Sequence, residues 1–223
     1  MLTIYHYWFC PFSRKVRIAL QEKGVEFEMK LEMTWQRRPE FLARNPAGNV
    51  PVLVNDDPQQ TICGAYAIAE YIDEKYAEPG LIGETAEERA ETRRLVEWFD
   101  DKFHREVTSL IVNEKVMKSF LKRGTPEAAN IRYAGQNIKH HLKYIEYLTD
   151  RRNWLAGNDF TFADISAAAH LSCVDYLGDV PWQHFEKAKD WYARVKSRPS
   201  FKAILQDKIA GLAPSAHYRN LDF

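Results

Sequence analysis

Strand-type patterning stops early in this chain and does not return. Up to Glu78-Pro79-Gly80, short β-prone runs alternate with helical periods; from Ala86 to about Asp207 the apolar residues recur only at helical spacing. A chain of this kind is restricted to a small mixed α/β unit followed by an all-helical one. With 223 residues, 45% of them hydrophobic, there is enough apolar material for two modest cores.

In the first unit, residues 2–7 are β-prone and aromatic and form the first predicted strand. A helix is predicted over 12–23, with Phe12, Val16, Ala19, Leu20 and the stem of Lys23 on one face, Pro11 in its first turn and Gly24 just past its end. Residues 25–31 alternate and are predicted as a half-buried strand with Val25, Phe27, Met29 and Leu31 on its inner side. This is a βαβ unit. A short helix at 39–43, a strand at 50–54 opened by Pro51, a hairpin turn at Asn55-Asp56-Asp57-Pro58, a strand at 61–63 and a helix over 65–76 complete it. Cys10 stands immediately before Pro11, at a helix start, where free N–H groups and the helix dipole favour a thiolate. That is the chemistry of a redox or thiol-transfer cysteine.

The helical part is predicted to open with one long or kinked helix over 86–122. Thr125 as N-cap and Pro126 at the first position start another, which runs to about Arg152. Thr161 and Asp164 form a relative of the capping box, followed by a nearly all-apolar and therefore central helix over 165–177. Two further helices are predicted over 185–196 and 199–207. The organisation read from this is a thioredoxin-like unit at 1–77, a linker at 78–85, a helical unit at 86–210 and a tail at 211–223.

The 31 basic and 31 acidic residues balance, which offers no footprint for nucleic acid. No apolar run approaches a membrane span, and the first residues lack the pattern of a signal peptide. The three cysteines, Cys10, Cys63 and Cys173, are widely separated and read as reduced thiols of a cytoplasmic protein. Glu97, Asp101 and His104 share one helix face at α-helical spacing, with His140-His141 as the only possible complement; no metal is expected, because nothing fixes the two groups opposite each other. Trp35 sits among polar residues in a predicted loop, either as an exposed anchor or folded back on its unit. The tail ends in Tyr218, Leu221 and Phe223 beside Asp222; it either plugs a groove of its own domain or presents apolar anchors to a partner.

Asn45-Pro46-Ala47-Gly48-Asn49-Val50-Pro51-Val52-Leu53 and Thr161-Phe162-Ala163-Asp164, set in this order of elements, resemble motifs of the glutathione transferase superfamily. The resemblance implies a thioredoxin-like domain plus an all-helical domain, and a cis Val50–Pro51 bond. In that family the backbone of the residue before the cis-proline, here Val50, pairs with the glutathione cysteinyl group, and an acid followed by serine holds its γ-glutamyl end. Those last positions align with Gly64 and Ala65, so acid and hydroxyl are both missing. Each missing partner costs about 1–3 kcal/mol, which together is roughly 30-fold or more in affinity. Val50, Pro51, Gly64 and Ala65 are therefore read as a vestigial site, with no cofactor expected.

A narrower likeness covers the whole chain: Phe9-Cys10-Pro11-Phe12-Ser13-Arg14-Lys15, Arg37-Arg38-Pro39, Phe103-His104-Arg105-Glu106-Val107 and the ending His217-Tyr218-Arg219-Asn220-Leu221-Asp222-Phe223 are similar to an alphaproteobacterial branch of the superfamily. Its members are homodimers that bind polymers of the tubulin-like GTPase FtsZ at the division site. The likeness implies a non-catalytic adaptor of cell division, with His217, Tyr218, Leu221, Asp222, Phe223 and Trp35 as partner contacts. The alternative is a glutathione-dependent thiol transferase or reductase using Cys10.

Overall fold

The structure, a computed structural model, describes residues 1–55, 60–209 and 211–221. The chain divides into two compact units, Met1–Gly80 and Leu81–Phe223.

The first unit is a four-stranded sheet in the order β2-β1-β3-β4, with β1 at Leu2–His6, β2 at Phe27–Leu31, β3 at Val52–Val54 and β4 at Thr61–Cys63. β1 runs parallel to β2, as the intervening helix α1 (Pro11–Glu22) requires, and antiparallel to β3, which pairs antiparallel with β4. Ile4, Val52 and Leu53 from the sheet join Val16, Ile18, Ala19 and Leu20 of α1 and Ile68 and Ile72 of α3 (Ala65–Lys75) in the core. Lys23 takes the place expected of its stem, and its buried ammonium is satisfied by Asp73 at 2.7 Å and by the carbonyls of Tyr76 and Pro79. Gly24 has φ +64°, the left-handed cap conformation. The Val50–Pro51 bond is cis, as is Glu78–Pro79.

The second predicted strand differs from its expectation. It begins at Phe27, leaving Val25 outside, and Met29 and Leu31 are 45% and 43% exposed. Alternation alone does not say which sheet position a strand will occupy, and β2 lies at an edge. α2 spans Pro39–Arg44. The expected hairpin turn falls mostly on Asp56, Asp57 and Pro58, outside the described residues.

In the second unit, a continuous helical rod runs through α4 (Ala86–Glu97), a π-helical stretch Trp98–Thr108, α5 (Ser109–Val112), a second π-helical stretch Asn113–Met117 and α6 (Lys118–Phe120). Its start is a full capping box: Thr85 accepts from the Glu88 N–H, and Glu88 accepts from the Thr85 N–H. α7 spans Ala128–Thr149, so the expected start at Thr125-Pro126 and end near Arg152 are corrected inward. The reason lies across the chain, where the carboxylate of Glu114 accepts the Glu127 N–H at 2.8 Å and the Asn130 amide at 2.9 Å. An acid on the preceding rod thus fixes Glu127 as the N-cap residue, two positions after Thr125.

α8 (Phe162–Tyr176) is buried at every position and is the axis of the unit. Asp164 closes its capping box with the Thr161 N–H and also accepts from the Leu155 N–H and the Trp191 indole. α9 (Glu186–Lys196) and α10 (Pro199–Leu205) follow.

Candidate functional site

Cys10 is the N-cap residue of α1, the position the sequence points to. Its Sγ accepts from the Ser13 N–H at 3.4 Å and donates to the Val50 carbonyl at 3.5 Å. The cis-proline loop thus meets the helix start, as the motif implies. The electrostatic expectation is corrected, however. Burial pushes the thiol pKa above its usual value, and this outweighs the hydrogen bonds from Ser13 and Phe12 and the nearby Arg14 charge. A helix terminus lowers a thiol pKa only when solvation of the thiolate is not lost at the same time. Held as a thiol, Cys10 is a weak nucleophile at neutral pH.

The groups around it do not supply an activating base. Ser13 is fully buried and its hydroxyl accepts from the Tyr7 N–H at 3.4 Å. Burial raises the Tyr7 pKa, and its ring stands edge-on against Trp35 at 5.1 Å. Trp35 is therefore half-buried on its own unit, the folded-back arrangement, and not a freely projecting indole. Gly64 caps α3 at φ +90° with no side-chain bond to the helix, and the first turn holds no acid. Space at Gly64 is open, but the backbone there disfavours any residue with a Cβ. Ala65 is buried.

The residues considered for a metal are not brought together. Asp101 pairs with Arg105 at 2.8 Å, His140 is exposed, and His141 is buried between the Trp98 indole and Glu106. Spacing that aligns side chains on an α-helix does not align them on the π-helical stretch Trp98–Thr108, whose wider turns shift each residue around the axis. No cluster that could hold a metal ion occurs among the described residues.

The tail is docked rather than loose. Tyr218 is completely buried, its ring edge-on to Tyr176 at 5.0 Å and its hydroxyl donating to the Ile204 carbonyl at 3.3 Å. This corrects its assignment as a partner contact: Tyr218 holds the tail to its own domain. His217 Nε2 lies 2.8 Å from Asp175 Oδ1, and the same oxygen accepts from the Trp182 indole at 2.7 Å. Ser215 binds the Tyr176 and Asp175 carbonyls through its N–H and hydroxyl, and Arg219 donates to the Leu205 carbonyl. Lys196, fully buried, donates to the Asn220 carbonyl at 2.6 Å, and burial brings its pKa down to about 8. Asp175 and Lys196 escaped the sequence reading, although an acid inside an otherwise apolar helix demands a partner and was a usable signal. The described anchors extend as far as Asn220. Leu221 is 36% exposed; Asp222 and Phe223 lie outside the described residues.

Comparison with known proteins agrees with this architecture over its full length. Residues 4–80 match the glutathione S-transferase N-terminal domain and residues 112–208 the C-terminal domain. The chain is 48% identical to FtsZ-localized protein A of Caulobacter vibrioides, over 99% of this chain and 98% of that one. The solved structure titled FzlA from C. crescentus superposes with a TM-score of 0.96 at 47% identity, covering 100% of this chain and 99% of that one. A glutathione S-transferase from Rhodospirillum rubrum F11 does so with a TM-score of 0.98 at 52% identity, covering 100% of both. A thioredoxin-like unit with a cis-proline loop at a helix-capping cysteine, followed by a helical unit around a buried capping box, places the chain in the glutathione S-transferase family.

Proposed function

We propose that this protein is an adaptor of bacterial cell division that binds FtsZ filaments and turns over no substrate. The observation that carries the reading is its likeness, across nearly the whole chain, to FtsZ-localized protein A. The site supports it: Cys10 is kept as a thiol, and Gly64 and Ala65 supply neither charge nor hydroxyl to a peptide ligand. The contact residues in this reading are Leu221, Asp222 and Phe223 at the end of the tail, with the partly exposed His217 on the same unit and, separately, the partly exposed Trp35 on the first unit. The protein acts in the cytoplasm at the division site as a two-fold pair, so that two tails on one body gain avidity on a repeating filament.

Co-sedimentation with GTP-polymerised FtsZ tests this. The full chain is expected in the pellet, and removal of Leu221–Phe223 or the change Asp222→Lys is expected to leave it in the supernatant. Unchanged pelleting of both variants refutes the tail assignment, and absence of the full chain from the pellet refutes the adaptor reading. The Ser13 and Phe12 hydrogen bonds to Sγ and the nearby Arg14 charge favour a Cys10 thiol transferase instead. A thermal shift with millimolar glutathione, together with a disulfide-reducing activity lost in Cys10→Ser, would establish that second reading.

A further inference from the structure

The last described turn of the tail is gripped by side chains of opposite charge from two helices. On α8, Asp175 Oδ1 lies 2.8 Å from His217 Nε2. On α9, the Lys196 ammonium donates to the Asn220 carbonyl at 2.6 Å and to the His217 carbonyl at 3.4 Å. Between these grips the backbone makes two successive turns: the Tyr218 N–H donates to the Ser215 carbonyl and the Asn220 N–H to the His217 carbonyl, each at 3.0 Å. The two grips differ in kind. Asp175 holds a side chain, whereas Lys196 holds main-chain oxygens, one of them on the residue just before Leu221.

Fastening alone does not account for a cation at this place. Lys196 is fully buried, and burial outweighs the Asp175 charge in bringing its pKa down to about 8. The docked tail therefore keeps an ammonium out of water at a net cost. A buried charge can often be replaced by an apolar side chain of similar volume with no loss of stability. Attachment is already supplied by the Tyr218 ring, completely buried and edge-on to Tyr176. What an apolar side chain cannot do is donate to two converging carbonyls, which an ammonium with its three donors can. Bonds to carbonyls fix the path of the backbone whatever side chains it carries.

We propose that Lys196 is a positioning residue for filament binding, which fixes the backbone immediately before the contact residues Leu221–Phe223 by holding the His217 and Asn220 carbonyls. This deepens the tail reading given above and rests on it. A backbone already fixed up to its contact residues has less freedom to lose on binding. Cutting the two carbonyl bonds therefore weakens binding without loosening the domain.

Lys196→Met keeps the length of the stem and removes the donors. Three measurements on the full chain decide the matter: co-sedimentation titration with GTP-polymerised FtsZ, the urea midpoint, and residue-resolved amide hydrogen exchange. The variant is expected to bind polymer about tenfold more weakly, since two charge-assisted bonds are gone, and to keep the wild-type urea midpoint. Its Asn220 amide is expected to exchange about tenfold faster while the Tyr218 amide stays protected. Lys196→Arg keeps donors and is expected to bind more tightly than Lys196→Met. If Lys196→Met binds like wild type, or its Asn220 amide exchanges at the wild-type rate, this inference falls and the tail reading stands. A urea midpoint lowered as far as that of Tyr218→Ala makes Lys196 a structural anchor and also overturns it. So does Lys196→Arg with a wild-type midpoint that binds no better than Lys196→Met. If deletion of Leu221–Phe223 leaves pelleting unchanged, the tail reading itself falls and this inference with it.

Discussion

Burial, more than any neighbour, sets the behaviour of several interior ionisable residues of this protein, His6, His104, His141 and Asp164 among them. His6 is held down to about 3 and His141 to about 4, in both cases chiefly by desolvation, and His141 stays low despite the Glu106 carboxylate 3.0 Å away. A histidine whose folded pKa is depressed stabilises the fold above its unfolded pKa near 6.5, and that stability is lost as pH falls toward the folded value. Asp164 runs the other way: burial raises it to about 6, so its contribution is present near pH 4 and is lost as pH rises to 6. With two buried histidines, and His104 also lowered to about 4, set against one acid, stability is expected to fall between pH 6.5 and 4. The slope is about 1.4 kcal/mol per pH unit for each unopposed histidine. Urea midpoints measured across that range check the sign, and His6→Asn is expected to flatten the slope. Asp164→Ala removes the acceptor for the Leu155 and Thr161 N–H groups and for the Trp191 indole, all buried. A loss of about 3 kcal/mol or more in unfolding free energy is expected.

Among the elements, the boundaries were legible wherever the cap lies within the local sequence. Pro11 and Cys10 start α1, and Thr161 with Asp164 starts α8, as read. α7 was misplaced by two residues at its start, where Glu127 and not Thr125 is the N-cap residue, its N–H held by Glu114 of a different helix. α4 carries its capping box at Thr85 and Glu88 on the surface, so Thr85→Ala is expected to cost about 1 kcal/mol in chemical unfolding with the fold unchanged. The rod from 86 to 120 was legible as helix, but its π-helical stretches were not, and the first of them, Trp98–Thr108, carries Asp101 and His104 off the α-helical spacing on which they had lined up with Glu97. Apolar periodicity reports which residues are inward on average; it is insensitive to one residue added per turn.

For the whole molecule, the anchored part of the tail and its last three residues make opposite predictions. Tyr218→Ala empties a fully buried aromatic site and is expected to cost about 3–5 kcal/mol, read as a large drop in the urea midpoint. Deleting Leu221–Phe223 removes nothing that the described anchors use and is expected to leave stability within about 0.5 kcal/mol, while abolishing FtsZ pelleting. If both changes lowered stability alike, the end of the tail would be part of the domain and not a free contact.

What the sequence determined by itself was the two-part architecture and its motifs, since periodicity, caps and residue chemistry are local properties; that Gly64 and Ala65 stand where an acid and a hydroxyl are expected is implied only by the family resemblance. The tertiary structure alone decided that Cys10 is a thiol, that Tyr218 is an anchor and that β2 is an open edge. Each of those depends on how much water surrounds a group and what stands across from it. Desolvation and edge position come from residues distant in the chain, so no local pattern carries them.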